Sequence, residues 1–267
     1  MVAGGGPFSD LLHRDTERKE PVMQQTVQSS TTTNLVAILR KLRPDDVFFP
    51  AMAVVILTVV VIGFAQSYFL PGMVFAKLPN TLVHIHGALF VAWIFLLLLQ
   101  NALVAIRRVQ WHKTLGILGV ILPPLMVVFG VLTVFDSIRR NGTGLPAELI
   151  LVGDFGQLAL FVGLTCWAML ARRNPAAHKR LMILGTLAMI GPAVNRWPFP
   201  AALRLPGTIG VCLALPLLIV GYDAWSLRRI HRTTLIGYLL IACQILTLLP
   251  ISSMRIWQPW VDWIRRG

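Results

Sequence analysis

Seven long apolar segments decide what this chain can fold into. They cover residues 47–69, 82–106, 112–135, 147–171, 178–198, 207–227 and 232–253. At a rise of about 1.5 Å per residue, each can cross a hydrocarbon layer about 30 Å thick. A lone spanning segment must be helical, because only a helix satisfies its own backbone polar groups in lipid. The sequence therefore predicts an all-α polytopic membrane protein with about seven transmembrane helices in one bundle.

Composition supports this class and excludes others. Of the 267 residues, 56% are hydrophobic and only 13% are charged, which is not the balance of a soluble domain. The net charge of +13 comes mostly from Lys and Arg in short loops between apolar segments, where they set membrane orientation. With no basic domain or stacking module, we expect no nucleic-acid partner.

Three regions follow from these patterns. Residues 1–34 are polar, lack the apolar core of a secretory signal, and are predicted to be a disordered tail. Residues 35–254 are predicted to form the transmembrane domain. Residues 255–267 place several indoles beside two arginines and are predicted to lie at the membrane interface; these are Trp257, Trp260, Trp263, Arg265 and Arg266.

The basic loops also predict an orientation. More Lys and Arg residues fall on the side of the N-terminus than on the opposite side, so we expect the N-terminus in the cytoplasm of a bacterial cell, with the protein in its inner membrane. The fifth segment is the least regular, because residues 195–206 contain three prolines and two arginines.

Histidines mark the cytoplasmic ends of three predicted helices. His112, His178 and His231 open the third, fifth and seventh segments. The His112 face continues through small residues such as Gly116 and Gly119, which would leave room for a porphyrin edge. Imidazole ligates haem iron, so this pattern predicts that His112 and His178 are the metal ligands of a b-type haem, with His231 as a substitute or supporting partner. The alternative is close helix packing through small residues.

A second polar group is predicted on the outer side. His86 shares a helical stripe with Phe90, Trp93, Leu97 and Gln100, which we take as the inward face; Gly87 beside it would admit a ligand or cofactor, and His84 should lie nearer the loop. Asp154 lies roughly 10 Å inside its helix at 1.5 Å per residue, and ionisable groups at such depth are candidates for functional sites.

Arg196 and His86 are the expected partners of Asp154. A cluster of His86, Asp154, Asn195 and Arg196 would bind a polar headgroup or transfer protons, with Asp154 and Arg196 as catalytic residues. The alternative is a structural ion pair that joins three helices. Asp223 is expected to pair with His231 or Arg228 as a solvated or bridging charge, and Arg180 is taken as a loop cation.

Common catalytic and disulfide motifs are absent from the sequence. It contains no Walker A loop, no HExxH and no GxSxG, and Cys166, Cys212 and Cys243 have no CxxC spacing. This leaves histidine-centred chemistry or none.

Four sequence elements carry a resemblance. HIHGALF from residue 84, WHKTLG from 111, NPAAHKRLMILG from 174 and YDAWSLRRIHRTTLIG from 222 resemble a group of uncharacterised bacterial multi-pass membrane proteins with HxH, WHxxLG and HKRLM elements. In layout the chain is also similar to transmembrane b-type cytochromes and to haem A synthases. The resemblance implies a helical bundle with histidines at helix ends.

Three functions remain open from sequence. The first is electron transfer by a histidine-ligated haem, with a quinone or a respiratory complex as partner. The second is a non-redox membrane enzyme that acts on a lipid or isoprenoid through His86, Asp154 and Arg196. The third is a transporter, receptor or assembly factor without catalysis.

Overall fold

A computed structural model of the protein describes residues 43–73, 75–140 and 147–267. The chain divides into two units after Asp45, and the packing described below lies within residues 46–267. Within the described residues the protein is helical and has no strand. The helices are α1 (Pro44–Phe64), α2 (Thr81–Ala105), α3 (Val109–Leu115), α4 (Leu118–Arg140), α5 (Ala147–Leu170), α6 (Pro175–Leu187), α7 (Gly191–Val194), α8 (Arg204–Leu227), α9 (Arg232–Ser252) and α10 (Gln258–Arg266). The tail predicted at 1–34 lies outside the described residues.

Six spans in this part of the chain are long and apolar enough to cross a membrane, which confirms the all-α polytopic prediction. They correspond to α1, α2, α3 with α4, α5, α8 and α9. Several contain prolines, namely Pro50, Pro123, Pro124, Pro216 and Pro250. Membrane helices tolerate proline because neighbouring helices and local adjustments satisfy the freed backbone groups.

The fifth predicted segment is a broken helix at the centre of the bundle. Helix α6 ends at Leu187, and the short α7 begins at Gly191 after a non-helical turn. Leu181, Leu184 and Val194 are fully buried along it. It runs from the level of Asp223, which binds Arg180, to the level of Phe64, over whose ring Arg196 lies. The predicted segment is therefore present, although it is too short and interrupted to count among the six long spans.

Close backbone contact fixes this central helix against α1. A Cβ atom on Gly63 would overlap the backbone carbonyl of Ala193. The Trp197 indole donates to the Val59 carbonyl oxygen at 3.2 Å and ties the same two elements together. Small residues at helix crossings permit such approach within membranes.

The outer surface of the bundle is apolar. Large hydrophobic side chains point away from the core on each long span, for example Phe95, Val128, Leu218 and Leu246. A soluble monomer rarely exposes such continuous apolar area. The bundle is therefore built to be surrounded by lipid.

The C-terminal helix α10 is amphipathic. Val261 and Ile264 are buried, and the Arg139 side chain donates to the Ile264 carbonyl oxygen at 2.8 Å. Trp260 and Trp263 are each 59% exposed. This arrangement suits the predicted interfacial position, except that Trp257 is packed inward and donates to the Ile251 carbonyl oxygen.

Candidate functional site

A cavity of about 430 Å³ lies near one end of the bundle and is lined by α1, α2, α4, α5 and the broken helix α6–α7. We name this the cavity end, where His86, Asp154 and Arg196 lie. Most of the wall is apolar, with Ile56, Phe90 and Trp93 among its residues. Its polar members include His86, Arg140, Asp154, Gln157, Thr186 and Arg196. An apolar pocket with a few convergent polar groups is the usual form of a small-molecule site.

Helix α2 places His86 on the inward face that the sequence pattern predicted. His86 and Phe90 are one turn apart with ring centroids 4.2 Å apart, and Trp93 on the same face is 1% exposed. His84 instead contacts the Tyr68 ring, with centroids 6.1 Å apart, and is not part of the cavity wall. Only one histidine of the HxH element therefore faces the cavity.

Asp154 and Arg196 come together in the same wall. Both line the cavity, and their opposite charges are near enough to interact, but within the described structure no hydrogen bond or ion pair under 4 Å involves the Asp154 carboxylate. Arg196 donates to the Pro192 carbonyl oxygen at 2.6 Å and lies 4.7 Å from the centre of the Phe64 ring. Asn195, expected in this cluster, is not among the residues of the wall. The geometry is thus looser than a structural ion pair.

Two polar side chains of the wall have unsatisfied atoms. His86 Nδ1 and Gln157 Oε1 are buried and have no hydrogen-bond partner among the described residues. The Gln157 NH₂ group donates to the Gly153 carbonyl oxygen at 3.2 Å. A buried polar atom without a partner costs about 1–3 kcal/mol, so such atoms often mark a site that a ligand or water completes.

Irregular backbone adjoins the cavity on two sides. Helix α1 widens into a π turn at Ala65–Phe69, and the break between α6 and α7 falls at residues 188–190. Tyr68, Phe69, Met189 and Ile190 from these irregular stretches line the cavity. Non-helical backbone at membrane depth is tolerated where it is buried or lines a cavity, and π turns are frequent at functional sites.

The opposite end of the bundle contains a histidine pair. The rings of His112 and His178, from α3 and α6, lie 6.4 Å apart between centroids at an angle of 85°. We name this the histidine-pair end. His178 Nδ1 is hydrogen bonded to the Ala168 carbonyl oxygen at 2.8 Å, which leaves Nε2 as its bare nitrogen. The structure therefore brings together the two histidines that the sequence paired.

The Gln100 side chain hydrogen bonds to the His112 ring and so determines which ring nitrogen carries the proton. With its NH₂ group turned toward His112, it donates to the His112 carbonyl oxygen at 3.1 Å and to Nδ1, while its oxygen accepts from the Gly116 N–H at 3.1 Å. Nε2 of a neutral His112 then carries the proton. For Nε2 to ligate a metal, the amide must turn so that its oxygen accepts from Nδ1–H, the usual support of a ligating imidazole. One glycine on this face, Gly119, has open space where a Cβ would stand.

Asp223 is a bridging charge, as expected, but it is buried and not solvated, and its ion-pair partner is Arg180 and not Arg228. Asp223 and Arg180 are 0% and 1% exposed, and Arg180 Nε donates to Asp223 Oδ1 at 2.9 Å. Thr234 Oγ1 and the His231 backbone N–H donate to the other carboxylate oxygen at 2.6 and 3.1 Å. One signal is visible in the sequence, an Asp in the last apolar turn before RRIHR, but nothing there distinguishes Arg180 from many nearby cations.

His231 belongs to this network. Its Nδ1 contacts Thr233 Oγ1 at 2.8 Å, where it caps α9. Partial burial, followed by the positive charge of Arg180, lowers the pKa of His231 below its ordinary value, so the ring is neutral at pH 7. Its predicted role as a substitute ligand stays a prediction.

The described residues contain few groupings of side chains that could bind a metal ion. Across residues 43–73, 75–140 and 147–267 no group of three or more His, Cys, Asp or Glu side chains could hold a metal ion. Cys166, Cys212 and Cys243 are free thiols. Comparison with known proteins gives no match to a family model, to a curated protein or to a solved structure.

Proposed function

We propose that this integral membrane protein binds a lipid-like or isoprenoid amphiphile in the cavity and acts on its polar head by proton transfer. The observation that supports this most strongly is the convergence of His86, Asp154 and Arg196, from three separate elements, on one cavity with an apolar wall. In this proposal the apolar residues hold the tail and the polar residues hold the head.

The polar side chains of the cavity wall are suited to general acid–base catalysis. An imidazole and a carboxylate can each accept and return a proton, and a nearby guanidinium can hold an electron-rich oxygen in place. His86 and Asp154 come from different helices and both line the cavity, so one bound head group can contact both. Arg196 then binds the head, while His86 and Asp154 move the proton.

Mass spectrometry of the purified protein tests the binding. Wild-type protein in nanodiscs should carry one enriched amphiphile over the bulk lipid. His86→Leu and Arg196→Gln should each reduce that species about tenfold, which is the effect of losing about 1.4 kcal/mol of binding. His84→Leu is the matched control, since its ring lies outside the cavity wall, and should retain it.

Asp154→Asn separates binding from turnover. Since the amide keeps the size of the carboxylate but not its basicity, this variant should retain the amphiphile and fail to convert it. A wild-type protein with no species enriched over bulk lipid would refute the proposal.

A second candidate function comes from the histidine pair. Two imidazoles that share one metal have ring centres about 6 Å apart, because metal–nitrogen bonds are about 2 Å long. The observed 6.4 Å between His112 and His178 fits this spacing. These two residues would hold a b-type haem, which would supply one-electron chemistry, with a quinone or a respiratory complex as partner.

An absorption spectrum tests this candidate. A Soret band with a reduced α-band is expected in wild-type protein and should be lost in His178→Leu, whereas His231→Leu should keep it. Gln100→Leu should lower haem content, because it removes the amide that orients His112. A colourless preparation from haem-supplemented cells would eliminate the candidate.

We place the protein in the bacterial inner membrane, as the resemblance and the basic loops suggest, with the N-terminus and the histidine-pair end in the cytoplasm. A protease-cleavable tag at the N-terminus should then resist protease in intact spheroplasts and be cut after permeabilisation.

A further inference from the structure

The charges of the cavity are balanced within the protein. Arg140 forms an ion pair with Asp136 at 2.8 Å, and Asp136 also accepts from Asn80 at 3.0 Å. Arg196 is opposed by Asp154, and one of its N–H groups is already used on the Pro192 carbonyl oxygen. Each cation of the described wall therefore has a carboxylate near it, so among the described residues the wall carries no net positive charge.

This balance disfavours an anionic head group. A phosphate monoester carries about −1.5 to −2 charges near pH 7 and would sit beside Asp154 in a site of low dielectric. Uncompensated charge at membrane depth is costly. Phosphate sites normally offer clusters of Arg and Lys or the N-terminus of a long helix.

The unsatisfied polar atoms of the cavity wall indicate which chemical group the head of the bound amphiphile carries. Gln157 Oε1 can only accept, so its partner must donate, and His86 Nδ1 can do either according to its tautomer. Thr186 is already occupied, since it accepts from the Trp93 indole at 3.1 Å and donates to the Met182 carbonyl oxygen at 2.9 Å. A hydroxyl group, which donates and accepts at once, meets both needs when His86 Nδ1 carries the ring proton.

We infer that the occupant of the cavity has an uncharged head that bears a hydroxyl group, as in a prenyl alcohol or a quinol, and is not a phosphorylated amphiphile. This inference rests on the proposed function, and it adds the chemical class of the head. In this arrangement the hydroxyl hydrogen of the head donates to Gln157 Oε1. The hydroxyl oxygen, or a neighbouring oxygen of the head, accepts from His86 and Arg196.

Farnesol and farnesyl phosphate form a matched pair of probes, because they share one tail and differ only in head charge. Trp93 lines the cavity, so binding to the full-length protein in nanodiscs can be read as the fluorescence change that is absent in Trp93→Phe. Farnesol should bind at least tenfold more tightly than its phosphate. Decylubiquinol, measured in parallel, shows whether the cavity prefers the ring hydroxyl of a quinol or the chain-end hydroxyl of a prenyl alcohol.

Gln157→Leu tests the hydrogen bond itself. It should weaken farnesol binding about tenfold and leave the phosphate nearly unchanged. Gln244→Leu is the matched control, because Gln244 packs on Gly156 outside the cavity wall, and it should bind farnesol like wild type. Circular dichroism of each variant confirms that the bundle is intact.

The outcomes are distinct. Equal or tighter binding of the phosphate overturns the uncharged head and leaves cavity binding standing. Farnesol binding that is unaffected by Gln157→Leu overturns the assigned donor contact. If none of the three probes changes Trp93 fluorescence in folded protein, the proposed function fails together with this inference.

Discussion

Arg180 and Asp223 show how much a single pair of residues contributes in this bundle. Both are buried, and the carboxylate accepts five hydrogen bonds: three from Arg180, one from Thr234 and one from the His231 backbone. Removing one partner of such a pair leaves an uncompensated charge in a low-dielectric interior. The pair therefore joins α6, α8 and the start of α9 at the histidine-pair end.

Arg180→Met should lower the free energy of unfolding by about 3–5 kcal/mol, since it strands the Asp223 carboxylate. Chemical unfolding in detergent, followed by circular dichroism, measures it. The double variant Arg180→Met with Asp223→Leu should recover much of the loss, because it removes both charges. Arg140→Met is the control: Arg140 and its partner Asp136 are both partly exposed, and its loss should cost about 0–1 kcal/mol. Equal losses in Arg180→Met and Arg140→Met would contradict this account.

Among the elements, the broken helix α6–α7 decides the shape of the cavity. Its break supplies Met189 and Ile190 to the wall, and its far end supplies Arg196. The contact between Gly63 and Ala193 sets how closely α1 approaches this helix. Anything that separates α1 from α7 should therefore alter the cavity as well as stability.

Gly63→Ala places a methyl group against the Ala193 carbonyl and should destabilise the protein by about 1–3 kcal/mol, the usual cost of overpacking. Thermal unfolding in detergent gives the size of the effect, and weaker retention of the bound amphiphile should accompany it. Gly221→Ala on α8 meets open space and serves as the control, with no loss or a slight gain from helix propensity. A Gly63→Ala protein as stable as wild type would show that the contact is not restrictive.

The bundle of residues 46–267, as far as the structure describes it, has an apolar outer surface and polar interior groups at both ends. The eight tryptophans differ widely in their exposure, from 1% for Trp93 to 64% for Trp225. Trp260 and Trp263 on α10 protrude from the bundle at the cavity end. Residues that face lipid should be accessible from the acyl chains, and those in the bundle should not.

Brominated lipids test this organisation, because bromine quenches indoles that it can contact. In variants with one remaining tryptophan, Trp260 and Trp263 should be quenched strongly in vesicles with bromine near the headgroups, and Trp93 only weakly. Strong quenching of Trp93 would mean that the cavity is open to lipid along its whole length.

Sequence alone determined the helical, membrane-spanning class, because the requirement to satisfy backbone groups in lipid leaves an apolar chain few alternatives. It also placed His86, Asp154 and Arg196 at one end and His112 with His178 at the other, since depth follows from position along a helix. Only the tertiary structure decided which neighbours meet. That Asp223 binds Arg180 and not Arg228, that His84 leaves the cavity wall while His86 joins it, and that the fifth segment breaks at 188–190 all depend on how helices rotate and approach one another. Those rotations are set by contacts between residues distant in sequence, such as Gly63 with Ala193, which periodicity within one helix does not encode.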